Sequence, residues 1–369
     1  MRRFSIERLA NADITLITEQ PQFVYSGMLP GWMAGHYGLD DISIDVKLLC
    51  EQAGVRFIQQ PIVKVNATSR TVTTTDSEPF GFDYDYDVLS LNTGADTDMY
   101  WLRTAITTIH NVPAIIAIRP LSAFIHQWQQ VMIDAQHATH YRLAIVGAGA
   151  AATELVMAAQ VALQRINPNH QVYLICGQNL LSGFDQRFKR RVINQLKRHG
   201  ITMIKARATG YSKSHLLTTQ DSLPMDTVIA ATGVTGAAWT KCTDLETVDN
   251  GFIAVNGTQQ SISHPNVFAV GDVATRVDQK VAHSGVHAVH GGAVMADNLL
   301  AYVAGESVPK KPLPSKSLKK YQPSARTLYL LSCGDKYAIA SWGKISLQGH
   351  WLWYLKRHID KRFVKTDQG

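Results

Sequence analysis

Two short runs of β-branched and apolar residues set the pattern of this chain. "ITLIT" (residues 14–18) and "VYLIC" (172–176) each read as a buried strand. Each is followed by a loop with Gly and then by a helix-like stretch, "DVKLLCEQAG" after the first and "RFKRRVINQLKRHG" after the second. Strand-like "VRFIQQ" and "ITMIKA" come next, and then a polar β-like segment, "SKSHLLTT" in the second series. Both series close on Asp, an apolar strand and Thr-Gly: "DVLSLNTG" from Asp87 to Gly94 and "DTVIAATG" from Asp226 to Gly233. The chain is therefore a weak duplication. Strands alternating with helices predict an α/β fold with parallel sheets.

The second copy shows how the plan begins. In "YRLAIVGAGAAATEL", a buried strand from Leu143 to Val146 runs into Gly147-x-Gly149-x-x-Ala152 and a helix. Gly147 permits the tight turn, and Gly149 lets the backbone approach a pyrophosphate. Small Ala152 lets helix and strand pack closely, while the helix N-terminus receives the negative charge. From Gly147 to Leu174 is 27 residues, and the same offset from Leu16 falls ahead of Met1. The first copy is thus expected to lack its own strand and glycine turn. Ile6, Leu9 and Ala10 read as the back half of a helix that would follow them.

Composition narrows the class. Hydrophobic residues make up 46% and charged residues 18%, ordinary for a globular enzyme. No run approaches the ~20 apolar residues that span a bilayer, and no signal-peptide core follows Met1-Arg2-Arg3, so a cytoplasmic protein is expected. Cys50, Cys176, Cys242 and Cys333 lack metal or dithiol spacing and read as stray buried thiols. The net charge of +7 gathers in residues 187–205 and 309–365. It reads as solvated basic faces or as attraction to phosphates and anionic surfaces, with no call for a nucleic-acid partner.

"HPNVFAVGDVA" (264–274) adds a late strand ending in Gly271-Asp272. Two dinucleotide folds with such a strand resemble the pyridine nucleotide-disulfide oxidoreductase superfamily. "YSGMLPGWMAGHY" (25–37), "YDVLSLNTGA" (86–95) and "GHWLWYLKRHIDKRF" (349–363) resemble its type II NADH dehydrogenase-like branch, especially the oxidoreductase found fused to selenide, water dikinase. The resemblance implies an FAD-binding domain in two segments, 1–112 and 245–308, around an NAD(P)H-binding domain at 113–244. A C-terminal extension, 309–369, completes the chain. The implied chemistry is hydride transfer from NAD(P)H to FAD, then electron delivery to a small acceptor such as a quinone. A chain impaired by its missing front end, or a partner of a selenophosphate-making enzyme, is the alternative.

Carried over residue by residue, the resemblance places Gly147, Gly149, Ala152 and Glu154 at the nicotinamide nucleotide. Glu154 is expected on the first helix turn, near the nicotinamide ribose or as an acid favoured by the helix dipole. Thr232 and Gly233 would border the same nucleotide. Asp272 with Gly271, Thr93 with Gly94, and Tyr25, Ser26, Gly27 and Pro30 would surround the flavin, the last group reading equally as turn residues. Glu19 stands one position late for a ribose-binding acid. At the end of the second nucleotide strand, Cys176-Gly177-Gln178 offers no carboxylate, while Arg187, Lys189, Arg190 and Arg191 follow. NADH and NADPH both stay open. "HSGVHAVHGG" (283–292) replaces the branch's glutamine-rich segment, and His287 and His290 can donate protons to an acceptor or simply lie on a helix surface.

The C-terminal segment reads as a Pro/Lys/Ser linker, a hairpin around Cys333-Gly334-Asp335-Lys336, and an amphipathic helix. Leu352, Leu355, Ile359 and Phe363 form its apolar stripe, beside Lys356, Arg357, Lys361 and Arg362. Such a helix packs on the body or a twin subunit, or lies on a membrane through 349–365 with Trp351 and Trp353 at the interface.

Overall fold

The unbroken apolar run Leu143–Val146 lies in Arg142–Val146, the middle strand of a parallel sheet, where both faces are covered and alternation disappears. The computed structural model describes residues 12–75, 81–105, 115–306, 318–324 and 326–368. Its five-stranded sheet runs, in spatial order, Ile115–Ala117, Thr227–Ala230, Arg142–Val146, Gln171–Ile175 and Thr202–Ile204, with every neighbouring pair parallel. Leu143 and Ile145 pack with the helices Leu121–His137, Ala150–Ile166 and Gln186–Arg198. Ala144 and Val146 face the other way, onto Leu216, Tyr211 and Met225 of an antiparallel meander. The predicted helices form here for local reasons as well. Asp45 caps Val46–Ala53 by accepting from Leu48 N, and Asp185 caps Gln186–Arg198 by accepting from Arg187 N.

The first copy repeats this plan with one difference. Thr15–Thr18 pairs in parallel with Arg56–Gln59, and Leu89–Leu91 pairs in parallel with Val267–Ala269. In the second copy the glycine-turn strand joins the equivalents of these pairs into one sheet. Among the described residues the two pairs of the first copy stand as separate two-stranded sheets. Ile17 and Leu91 nevertheless share one apolar cluster, so both pairs border the same core. The expected half-helix at Ile6, Leu9 and Ala10 lies outside the described residues.

The two Thr-Gly motifs meet. The strands that follow them, Ala95–Thr97 and Val234–Gly236, pair antiparallel, with Asp96 opposite Thr235. Thr232 Oγ1 donates to Asp98 O at 2.5 Å, and Asp98 N donates to Gly233 O at 2.9 Å. The duplicated segments thus cross at a single joint.

The C-terminal extension differs from expectation in three ways. Its hairpin carries a third strand, giving the antiparallel sheet Leu328–Ser332, Ala338–Trp342 and Ile345–Gly349. The described end of the linker is pinned, with Leu318 and Tyr321 buried. The helix His350–Gln368 buries Leu352, Trp353, Asp360 and Val364, while Trp351, Tyr354, Leu355 and Ile359 are exposed. The predicted apolar stripe is therefore rotated. Lys356 and Asp360, four residues apart, neutralise each other at 2.8 Å and so can occupy the inner face. Cys242 also departs from its reading as a buried thiol, since it is exposed, while Cys50, Cys176 and Cys333 are buried.

Candidate functional site

The glycine turn of the second copy is built by close packing. A Cβ on Gly147 would collide with the Ala231 carbonyl and come within 2.8 Å of the Ala152 Cβ. Ala152 itself is fully buried. At Gly149, the N-cap of the helix, an added Cβ would meet nothing within 4 Å, so this face of the turn is open for a phosphate. Gly147→Ala is expected to cost about 1–3 kcal/mol through this overlap. It should also weaken NAD(P)H binding, which thermal unfolding and nucleotide titration would read together. A variant as stable and as tightly binding as the parent would refute the packing argument.

Glu154 is the fifth residue of the helix, not part of its first turn, because the helix starts only at Ala150. Its carboxylate points to the C-terminal extension: Oε1 accepts the Ser332 N–H at 2.7 Å. Around it lie groups from three distant parts of the chain. Lys356 Nζ bonds to Asp360 Oδ2 and to Gly27 O, both at 2.8 Å, and Tyr25 hydrogen-bonds Asp360 and packs tilted against Phe363 at 4.6 Å between ring centroids. Burial pushes Glu154 up to about 7, against the pull of Lys356 and the Ser332 N–H. Burial would lower Lys356, but Asp360 and Glu154 outweigh it and its pKa rises. Asp360 is raised by burial despite Lys356, and Tyr25 is pushed up to about 12 by burial and by Asp360.

One cation and two carboxyls in a buried space are neutral only when one carboxyl keeps its proton. Glu154 is the one that does so near neutral pH. Sequence reasoning named Tyr25, Gly27 and Glu154 but missed Asp360 and placed Lys356 only on the basic face beside the apolar stripe. The i,i+4 opposite charges of Lys356 and Asp360 were the available signal. Pro30 is buried at the start of a short helix, Leu29–Met33, and Ser26 is exposed, so the predicted loop at 25–31 is mostly helical turn.

A second cluster gathers the other predicted residues. The register Leu91–Ala269 sets Asn92, Thr93 and Gly94 beside Val270, Gly271 and Asp272. Gly94 and Gly271 take φ of 75° and 77°, and Asn92 Oδ1 lies 3.0 Å from where a Gly271 Cβ would stand. Trp239 Nε1 donates to Thr93 Oγ1 at 3.1 Å. Asp272, Gly271, His283, Ser284 and His287 line a common cavity. Within it, Asp272 Oδ1 and Ser284 Oγ are buried without a partner among the described residues, which fits a hydroxyl-bearing ligand. His287 bonds Tyr321 OH at 2.8 Å, and burial lowers its pKa. His290 is exposed and outside the cavity lining, and Glu19 is exposed beyond its strand.

A five-stranded parallel sheet with a glycine turn at a helix N-terminus, a partial second copy of that plan and a late Gly-Asp strand end define a dinucleotide-binding class of protein. The family model for pyridine nucleotide-disulphide oxidoreductases matches residues 3–292, and the chain belongs to that family. FAD and NAD(P)H are the cofactors with which the family works. An NADH oxidase of Lactococcus lactis is 35% identical over 155 residues, 39% of this chain and 33% of the relative. The match to that curated relative thus spans about a third of its length. A sulfide:quinone oxidoreductase structure from Aquifex aeolicus shares the fold with TM-score 0.78 and 17% identity, covering 100% of this chain and 89% of that one. NDH2 of Plasmodium falciparum in complex with NADH superposes with TM-score 0.73 and 13% identity, covering 97% and 93%. No helix among the described residues is long and apolar enough to cross a membrane.

Proposed function

We propose that this chain is a type II NADH dehydrogenase-like flavoprotein that oxidises NAD(P)H and delivers the electrons to a quinone-type acceptor. The observation that carries the reading is the buried set Glu154, Lys356, Asp360 and Tyr25, between the nucleotide helix and the C-terminal helix. Reducing a quinone requires two protons as well as two electrons, and a carboxyl poised near neutrality is suited to hold one of them. FAD, when bound, supplies the hydride acceptor and the electron relay. Asp272 Oδ1 and Ser284 Oγ are the groups placed to hold it, and Gly147, Gly149 and Ala152 would seat the pyrophosphate of NAD(P)H. Glu154 keeps a proton at its carboxyl, Lys356 stabilises the anion left when that proton departs, and Asp360 holds Lys356 in place. His287, bonded to Tyr321, is the second candidate donor.

The outer face of the C-terminal helix supports an acceptor drawn from a membrane surface. Trp351, Tyr354, Leu355 and Ile359 are 55%, 56%, 38% and 44% exposed, and Trp342, Ile345 and Leu347 of the adjoining sheet are exposed as well. Replacing both Trp351 and Leu355 by Ser is expected to lower co-sedimentation with anionic vesicles about tenfold or more, from the transfer free energy of two apolar side chains. Unchanged sedimentation would remove the membrane from the proposal.

A second reading is an NAD(P)H-binding chain that does not retain FAD, favoured by the separation of the first-copy sheet into two strand pairs. Purification distinguishes the two. A yellow protein that oxidises NADH or NADPH with a short-chain quinone supports the first reading. A colourless one that binds the nucleotide supports the second.

A further inference from the structure

Arg119 occupies the joint between the two nucleotide folds. It follows the edge strand Ile115–Ala117 of the five-stranded sheet, and the preceding Ile118 N still donates to Ala230 O at 3.2 Å. Its own N–H is held by Thr97 Oγ1 at 3.1 Å, on the strand that follows the first Thr-Gly. Its guanidinium reaches Asp272 Oδ2 at 2.5 Å, with the two side chains 28% and 15% exposed. Two consecutive residues, Ile118 and Arg119, therefore tie the nucleotide sheet to the crossing strands and the late Gly-Asp segment.

We propose that Arg119 is a positioning residue that fixes the 271–276 segment, and through it aims Asp272 Oδ1 into the flavin cavity. An aspartate has two oxygens. With Oδ2 engaged by Arg119, rotation of the carboxylate is restricted and Oδ1, buried and without a partner among the described residues, is left to accept from a ligand hydroxyl. The pair stands near His283, whose pKa is lowered by burial, with Asp272 opposing and Arg119 adding to the effect. Arg119 does not line the cavity itself, so it acts through Asp272. This inference rests on the flavin reading for its ligand, but the joint itself is a property of the chain alone.

The test uses the full chain as parent, Arg119→Met, Arg119→Lys, Asp272→Asn and the Arg119→Met/Asp272→Asn double variant. FAD titration is paired with hydrogen exchange of the ligand-free protein. Arg119→Met is expected to weaken FAD binding about tenfold to a hundredfold, less than for truncating a fully buried charge pair because both side chains are partly exposed. Arg119→Lys should recover part of the loss. In the Asp272→Asn background the Arg119→Met change should have little further effect, because both act through one contact. Exchange should quicken at 271–276 and stay unchanged in the Arg142–Val146 strand. If the parent binds no FAD yet Arg119→Met loosens 271–276, the flavin reading falls and the joint stands. If neither FAD affinity nor exchange responds to Arg119→Met, or if the two substitutions add independently, the proposal is overturned.

Discussion

Glu154→Gln is expected to lower turnover with a quinone-type acceptor by about a hundredfold, within the range for removing a general acid. NAD(P)H binding should change little, because the carboxylate turns to Ser332 and Lys356. The pH profile is the sharper readout. A proton held up to about pH 7 gives the parent a limb near neutrality that falls as pH rises, and the Gln variant should lose that limb. The same shift has a stability consequence. The folded chain holds the Glu154 proton up to about pH 7, whereas an unfolded one releases it near the ordinary 4.5. Between those values the native state binds more protons, so stability falls as pH rises through the window. The Gln variant should show a flatter curve, by up to about 3 kcal/mol at about 1.4 kcal/mol per unit. A Gln variant that keeps the parent's rate, pH limb and stability curve would rule out Glu154 as the proton store.

Lys356→Met is expected to destabilise the chain by about 3–5 kcal/mol, read by chemical denaturation at pH 7–8. The loss comes from stranding Asp360 and Glu154 without a buried cation, and from leaving Gly27 O without its donor. Adding Asp360→Leu should restore part of the loss, since it removes one of the stranded charges. It should restore less at pH values where Glu154 is ionised. A single variant as stable as the parent would mean that Lys356 is solvated rather than inside.

The C-terminal helix shows where sequence reasoning reached its limit. Period and composition placed a helix at 349–363, and the structure has it. They set Leu352, Leu355, Ile359 and Phe363 on one apolar stripe, against the body or a membrane, with Lys356 on the charged face beside it. The structure buries Leu352, exposes Leu355 and Ile359, and turns Lys356 to the inner pair with Asp360. A hydrophobic pattern is reliable where a single surface buries one face of a helix. This helix lies against the 25–44 region and the antiparallel sheet together, through Val364 with Met28 and Ile44 and through Leu352 with Ala338. The inner face then takes whichever residues complete that contact, a self-neutralised Lys–Asp pair included. The site at Glu154 was legible one residue at a time. Its partners come from positions 25, 332, 356 and 360, and no local pattern links those numbers.

By itself, the sequence determined the duplicated α/β plan, the glycine turn at Gly147–Ala152 and the Thr-Gly and Gly-Asp strand ends. These are local rules of backbone geometry, strand burial and helix capping, and they are written in contiguous residues. Only the tertiary structure decided that the two Thr-Gly segments cross, that Arg119 reaches Asp272, and that Glu154 faces the C-terminal extension. Those outcomes depend on which distant surfaces must cover each other and on how buried charges find neutral company. Such balances exist only once the chain has closed on itself.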